Sequence, residues 1–395
     1  MLKTLSFDEL AEPQVGIPAI NKATILFVVF ILLGVGAGLY AQMVGHLAAF
    51  NNTREVAWGI LISNYAYFAI ISTGLCLLAV VSHIFGSNRL TPLANRMVFL
   101  SIIVIFGAFL IIGLELKNPH RMLLYNMLSP NITSNIWWMG TLYSMAVGFM
   151  LVEFYLIISK KYALAVTLGV LGALAEIAAN TTLGAVFATI AARPLWYGSQ
   201  LPIYFLASAV MTGAAAIIMF TTIAHRMRGE EMSSATREGL QGAGKVMLLT
   251  LVLIAVATVW KFVAPFVGGT EEGRIAALSL LKGPLSFNFW VFETVIGMAL
   301  PFVLLLLTRM QNYKVLYYAA IMILVGAYFQ RYDLVVAGQL VPVYAGWDSL
   351  PTYLAYKPSL VELLICLGGF GVVGAGFLLG ERFFGKAFRY SGGHH

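Results

Sequence analysis

Long apolar runs dominate the pattern of this chain. They fall at about 22–45, 57–85, 92–116, 133–159, 162–191, 200–225, 244–266, 286–308, 314–338 and 358–381, with Lys, Arg, Pro and Asn collecting between them. Each run is close to the roughly 20 apolar residues that a helix needs to cross a bilayer. The runs are continuous and do not alternate residue by residue, which predicts helices and argues against a membrane β-barrel. The expected fold is all-α, an integral membrane protein of ten transmembrane helices. Helices 2–5 and 6–9 read as two four-helix bundles, with helices 1 and 10 flanking them. A single transmembrane domain is expected over 1–395, embedded from 22 to 381, with tails at 1–21 and 382–395.

Composition agrees with that pattern. The 395 residues are 60% hydrophobic and only 10% charged, with a mean hydropathy of +0.87, outside the range of soluble globular proteins. The 38 glycines, in small-xxx-small runs such as GVGAG (34–38) and GGFGVVGAGFLLG (368–380), read as close helix packing. The opening stretch MLKTLSFDELAEPQVGIPAINK has no early apolar segment followed by a small-residue cleavage site. Helix 1 is therefore expected to direct insertion, with no cleaved leader.

The net charge of +7 is more informative by side than by sum. With ten crossings, the termini and alternate loops share one face. That face carries fifteen of the 24 Lys and Arg, among them Lys3, Arg89, Arg96, Lys160, Lys161, Arg226, Arg228 and Arg237. The opposite face carries eight, including Lys117, Arg121, Arg193 and Arg274. This predicts cytoplasmic termini in a cell inner (cytoplasmic) membrane, and no nucleic-acid partner. Cys76 and Cys366 are the two cysteines, too few to hold an iron–sulfur cluster in this chain or a disulfide framework. His46 and His120 lie at one surface, His83 and His225 at the other, and His394 and His395 in the tail. No two share a depth within the membrane, so neither a haem nor a metal site is expected.

The topology gives each polar residue a depth, at about 1.5 Å per residue. Asn64 and Tyr67 in helix 2, Glu115 in helix 3, Asn180 and Thr181 in helix 5 and Lys261 in helix 7 all fall toward the face opposite the termini. So do Glu293 in helix 8, Arg331 and Asp333 in helix 9, and Glu362 in helix 10. Glu176 lies near mid-depth, and Glu153 near the terminal side. Taken singly, each is also explained by a pair that merely fixes packing, and Arg331 with Asp333 reads as a local clasp. Carboxylates, a lysine, an arginine and two amides at one depth on seven helices are costly for independent packing pairs. They read together as one polar, partly hydrated site. Arg331 is expected to neutralise Glu293 or Glu362 there, with Asp333 and Gln339 at the mouth.

Several segments then carry a resemblance. LELKNPHRMLLYNMLSPNITSNIWWMG (114–140) and NTTLGAVFATIAARPLWYGSQLPIYFLASAVMTGAA (180–215) resemble the NrfD/polysulfide-reductase C family of membrane subunits. FWVFETVIGMALP (289–301), QRYDLVVAGQ (330–339) and YKPSLVELLICLGGFG (356–371) are similar to its ten-helix branch, which includes the hydrogenase-2 membrane subunit and the DsrP type. The likeness runs from about 24 to 385.

The resemblance implies a quinone-interacting subunit without a redox cofactor of its own. It would exchange electrons between a ferredoxin-like iron–sulfur subunit on the outer face and menaquinone or ubiquinone, beside further catalytic or cytochrome subunits. Anaerobic respiration of sulfur type, or linked to hydrogen, would be its setting. The helix-2 pair, Asn64 and Tyr67, would meet the quinone, with Asn180, Thr181 and Trp196 of the R-P-x-W signature. Tyr67 stands where the polysulfide-reductase branch has a histidine, and Asp333 where the hydrogenase-type branch has Asn; a phenol still serves a quinone carbonyl. Two-electron quinone chemistry also needs two protons. Glu115 and Glu293 are the expected relays, with Glu176 and Glu153 on a line toward the terminal side. A secondary transporter and a purely structural anchor are the rival classes.

Overall fold

A computed structural model describes residues 17–84, 89–343 and 351–389. Positions 1–16, 85–88, 344–350 and 390–395 lie outside them, and with them Lys3, His394, His395 and part of the stretch between the ninth and tenth apolar runs. Ten described helices are long and apolar enough to cross a membrane. They are α1 (Ile17–Val44), α2 (Ile60–Ile84), α3 (Ala94–Glu115), α4 (Asn135–Ile158) and α5 (Tyr162–Ala188), followed by α6 (Gln200–Arg228), α7 (Ser234–Gly268), α8 (Asn288–Thr308), α9 (Tyr313–Leu340) and α10 (Leu360–Phe384). No strand occurs among the described residues. The chain is a multi-pass, all-α membrane protein.

Helix starts are written locally. Ser134, Ser233, Asn312 and Ser359 each accept a backbone N–H of the first turn of α4, α7, α9 and α10, satisfying donors that no helix bonds internally. At α10 the cap is reciprocal: Glu362 reaches back to the Ser359 N–H at 2.8 Å, the S-x-x-E arrangement of a capping box. Several boundaries differ from expectation. α7 begins at Ser234, well before 244, because Ser233 caps a polar but helix-compatible segment, SATREGLQGAG. α1 already runs at Ile17, inside the expected tail. α10 continues to Phe384. Polarity marks where a span leaves the bilayer, not where its helix stops.

α8 carries the largest departure. Asn288–Ala299 is π-helical, and only Leu300–Thr308 is α-helical. Its N-terminal half crosses α9 at a double glycine: a Cβ on Gly326 would lie 2.1 Å from Gly297 Cα. Beside that crossing, Phe292 stacks on Phe329 with centroids 4.0 Å apart.

α2 lies at the centre, packed against α3, α5, α6 and α9, while α1 rests on α10. α2 and α6 cross with backbones in contact; a Cβ on Gly74 would sit 1.8 Å from Ala209 O, and one on Gly213 would sit 2.6 Å from Gly74 Cα. This contact joins one helix from each of the two expected bundles.

The terminal face is tied by a buried cluster. Arg96 of α3 pairs with Glu381 of α10 at 2.7 Å, and Arg228 of α6 pairs with the same carboxylate. Depth in the sequence puts both arginines among the flanking positives; the structure buries them. The opposite face carries short helices, His46–Ala49, Pro119–Leu128 and Glu271–Leu281.

Candidate functional site

The first polar group forms where α2, α4 and α5 meet. Glu176 of α5, wholly buried, accepts hydrogen bonds from Thr73 Oγ1 at 2.6 Å and Ser72 Oγ at 3.2 Å, both on α2. One turn along α5, Asn180 Nδ2 donates to the same Thr73 hydroxyl at 3.4 Å, while its Oδ1 is buried without a partner. Tyr143 of α4 adds a buried phenol beside them. Toward the terminal side, Glu153 of α4 is buried with both carboxyl oxygens unpartnered. It lies over Gly169 of α5, where a Cβ would stand 2.4 Å from Glu153 Oε1. Cys76 of α2 is within electrostatic reach of both carboxyls. Glu153 and Glu176 thus share one interhelical seam.

Higher on α2, Asn64 is fully buried and neither amide atom finds a hydrogen-bond partner. The Cys366 thiol of α10 is its polar neighbour, a weak one. Tyr67, one turn on, meets Tyr328 of α9 edge-on at 5.4 Å and Phe370 of α10 at 6.5 Å. The pair therefore faces a seam with α9 and α10, lined by aromatic rings.

The second polar group lies among α6–α9. Lys261 Nζ pairs with Glu293 Oε1 at 3.1 Å and stands over the rings of Phe262 and Phe289. Asp333 accepts a hydrogen bond from Asn288 Nδ2 at 3.3 Å. Arg331, fully buried, hydrogen-bonds Ser208 of α6 and lies over Phe205, 4.1 Å from the ring centroid. Neither expected partner of Arg331 is in contact with it, although Glu293 lies within its electrostatic reach. Glu293 has Lys261, and Glu362 is held by Tyr356 OH at 2.6 Å and by the N–H groups of Asn51 and Ser359. The clasp with Asp333 does not form either, since positions two apart on a helix point away from each other.

At the face opposite the termini, Gln339 is buried. It binds the Trp58 backbone at both ends, accepting from Trp58 N at 3.0 Å and donating to Trp58 O at 2.7 Å. Burial, and then the Glu362 carboxylate to which it donates, hold the Tyr356 phenol well above its ordinary range, so it stays a donor. Trp196 is buried, with its indole N–H on Leu334 O at 2.7 Å and its ring stacked on Trp58. Thr181 returns its hydroxyl to Ile177 O at 2.8 Å within its own helix. Glu115 is half-buried, within electrostatic reach of Glu362.

Sequence reasoning therefore finds the depth of these residues and misses several partners. Ser72, Thr73 and Ser208 look like ordinary small helix residues, and Asn288 looks like a helix end. Lys261 stands at the depth expected for it, but its acid is not apparent from the sequence.

The family described as polysulphide reductase, NrfD matches residues 47–343, from before α2 to beyond the end of α9. A selenate reductase subunit of Mesobacillus selenatarsenatis is 21% identical over 371 residues, covering 81% of this chain and 84% of that protein. A putative dimethyl sulfoxide reductase membrane subunit of Halobacterium salinarum is 24% identical over 381 residues, covering 87% and 86%. The chain belongs to the polysulphide reductase NrfD family, as a multi-pass membrane subunit of a reductase complex.

Proposed function

We propose that this subunit exchanges electrons between an iron–sulfur partner and a membrane quinone, menaquinone or ubiquinone, with protons moving through its helices. The observation that carries the reading is Asn64: a buried amide with both polar atoms unpartnered, one turn from Tyr67, on a seam lined by Tyr328 and Phe370. A buried polar group without a partner is costly. An amide both donates and accepts, a phenol does the same, and flat apolar walls suit an aromatic head group. A bound quinone supplies the two-electron chemistry. The chain's own part is to orient its carbonyls through Asn64 and Tyr67 and to move protons.

Glu176 and Glu153 support a route toward the terminal face, because they occupy one seam and Thr73 and Ser72 hydrogen-bond the first of them. Glu115 and Glu293 serve the opposite side. On this reading the termini are cytoplasmic in an inner membrane, as the positive charges indicate. The relatives named for selenate and dimethyl sulfoxide add reductions of oxyanions and sulfoxides to sulfur-type and hydrogen-linked anaerobic respiration as settings.

The test is the double variant Asn64→Ala with Tyr67→Phe in the assembled complex. Each neutral hydrogen bond contributes about 0.5–1.5 kcal/mol, so quinol affinity should fall by about tenfold while assembly persists. Unchanged quinol kinetics in the assembled double variant would overturn the assignment.

A further inference from the structure

The α6–α9 group has an arrangement that quinone binding at Asn64 does not explain. Lys261 pairs with one oxygen of Glu293, and the other, Oε2, is buried without a partner. Asp333 likewise has one oxygen on Asn288 and the other, Oδ2, unpartnered. Asp333 lies in the field of both Glu293 and Lys261. Arg331, which could have supplied a second direct cation, is turned to Ser208 and Phe205 of α6. Glu293 therefore has a contacting ammonium and Asp333 has none, in a nearly closed volume: Glu293 is 1% exposed and Asp333 0%.

The π-helix builds this geometry. In an α-helix, residues five apart are separated by about 140° around the axis, from 3.6 residues per turn. A helix closed by i→i+5 bonds has wider turns, which bring Asn288 and Glu293 back toward one side. Asn288 thereby reaches Asp333 while Glu293 reaches Lys261. The double glycine at Gly297 and Gly326 lets α8 approach α9 closely enough for both contacts. Lys261, at 13% exposure, is the least buried member and stands on the side away from the termini.

We propose that Glu293 and Asp333 form a paired-carboxylate site for one exchangeable proton, with Lys261 as its counter-ion and its link to the face opposite the termini. A proton taken from water at that face forms an O–H bond on one carboxylate, and the bond breaks when the proton is returned; no electron moves. Lys261 contacts Glu293 alone, and a proton on the pair removes a charge that the low-dielectric surroundings disfavour where no cation is in contact. The other groups facing the pair are Tyr204 from α6 and Arg331 and Tyr332 from α9. The proposal deepens the proton part of the reading above and does not depend on where the quinone sits.

Infrared spectra of the assembled complex in light and heavy water test it through the carbonyl band of a buried carboxylic acid. Asp333→Asn keeps the shape and the Asn288 contact, and should remove the pair's share of the deuteration-sensitive band, leaving the share of other buried acids such as Glu153 and Glu176. Lys261→Met should add the share of one further acid to that band, and Lys261→Arg should restore the original spectrum. An unchanged band in Asp333→Asn overturns the proposal, as does an unchanged band in assembled Lys261→Met. If Lys261→Met does not assemble, Asp333→Asn decides alone. Quinol affinity, which belongs to Asn64 and Tyr67, is read separately, so the two readings fail independently.

Discussion

Arg331 and Asp333 are two residues apart on α9, which in an α-helix turns them about 200° from one another. Arg331 therefore reaches α6, and Asp333 reaches α8. The depth of both charges is legible in the sequence, because a charge inside an apolar run can be counted from either end. Its direction is not, because these helices are apolar nearly all round and offer no polar face from which to read an orientation. This is why the sequence points to Arg331 as the counter-ion of Glu293 or Glu362, and the structure gives Lys261 as the contacting cation of Glu293. Double-mutant cycles in detergent-solubilised complex make the difference measurable. Lys261→Met with Glu293→Gln should be non-additive in unfolding free energy by about 0.5–3 kcal/mol, as for residues in contact. Arg331→Lys with Asp333→Asn should be additive to within about 0.5 kcal/mol. The reverse pattern would return Arg331 to the acids.

Among the elements, the ten spans are legible because apolar length alone fixes them, and the cap residues Ser134, Ser233, Asn312 and Ser359 refine their starts. The π-helix of α8 is not legible, since i→i+5 closure leaves no mark in an apolar sequence. Nor is the crossing of α2 on α6, because Gly74 and Gly213 resemble the many other glycines until their neighbours are known. Those two differ sharply from Gly36 of α1, whose Cβ position is open. Gly74→Leu must push backbone against backbone. It should cost more than the roughly 1–3 kcal/mol usual for overpacking and abolish recovery of folded protein, whereas Gly36→Leu should be recovered at the original yield. Size-exclusion profiles of the two variants make the comparison. Equal recovery would show that the α2–α6 contact is softer than its geometry.

At the scale of the whole molecule, the two ends are fastened differently. The terminal end rests on one buried carboxylate, Glu381, shared by Arg96 and Arg228 from two other helices. The opposite end is fastened through loop backbone. Arg193 donates to Gln339 O, Val341 O and Glu55 O at 3.3, 3.0 and 2.8 Å, joining three segments that are far apart in sequence. Gln339 and Glu362 add their bonds to the backbone at Trp58 and Asn51. None of these bonds is needed to cross a membrane, yet they set the shape of the face formed by the described segments at 117–133, 193–200, 268–286, 339–343 and 351–357. A reductase membrane subunit works with other subunits, and a rigid, loop-built face is the surface we expect their docking to use. Hydrogen bonds from a charged donor contribute about 1.5–3 kcal/mol each, so Arg193→Ala should loosen this face while the ten apolar helices stay inserted. The expected outcome is normal helical content by circular dichroism with at least severalfold lower recovery of the partner subunits on co-purification. Partner recovery at the original level, or cross-links from the partner to the face of the termini, would place the docking surface elsewhere.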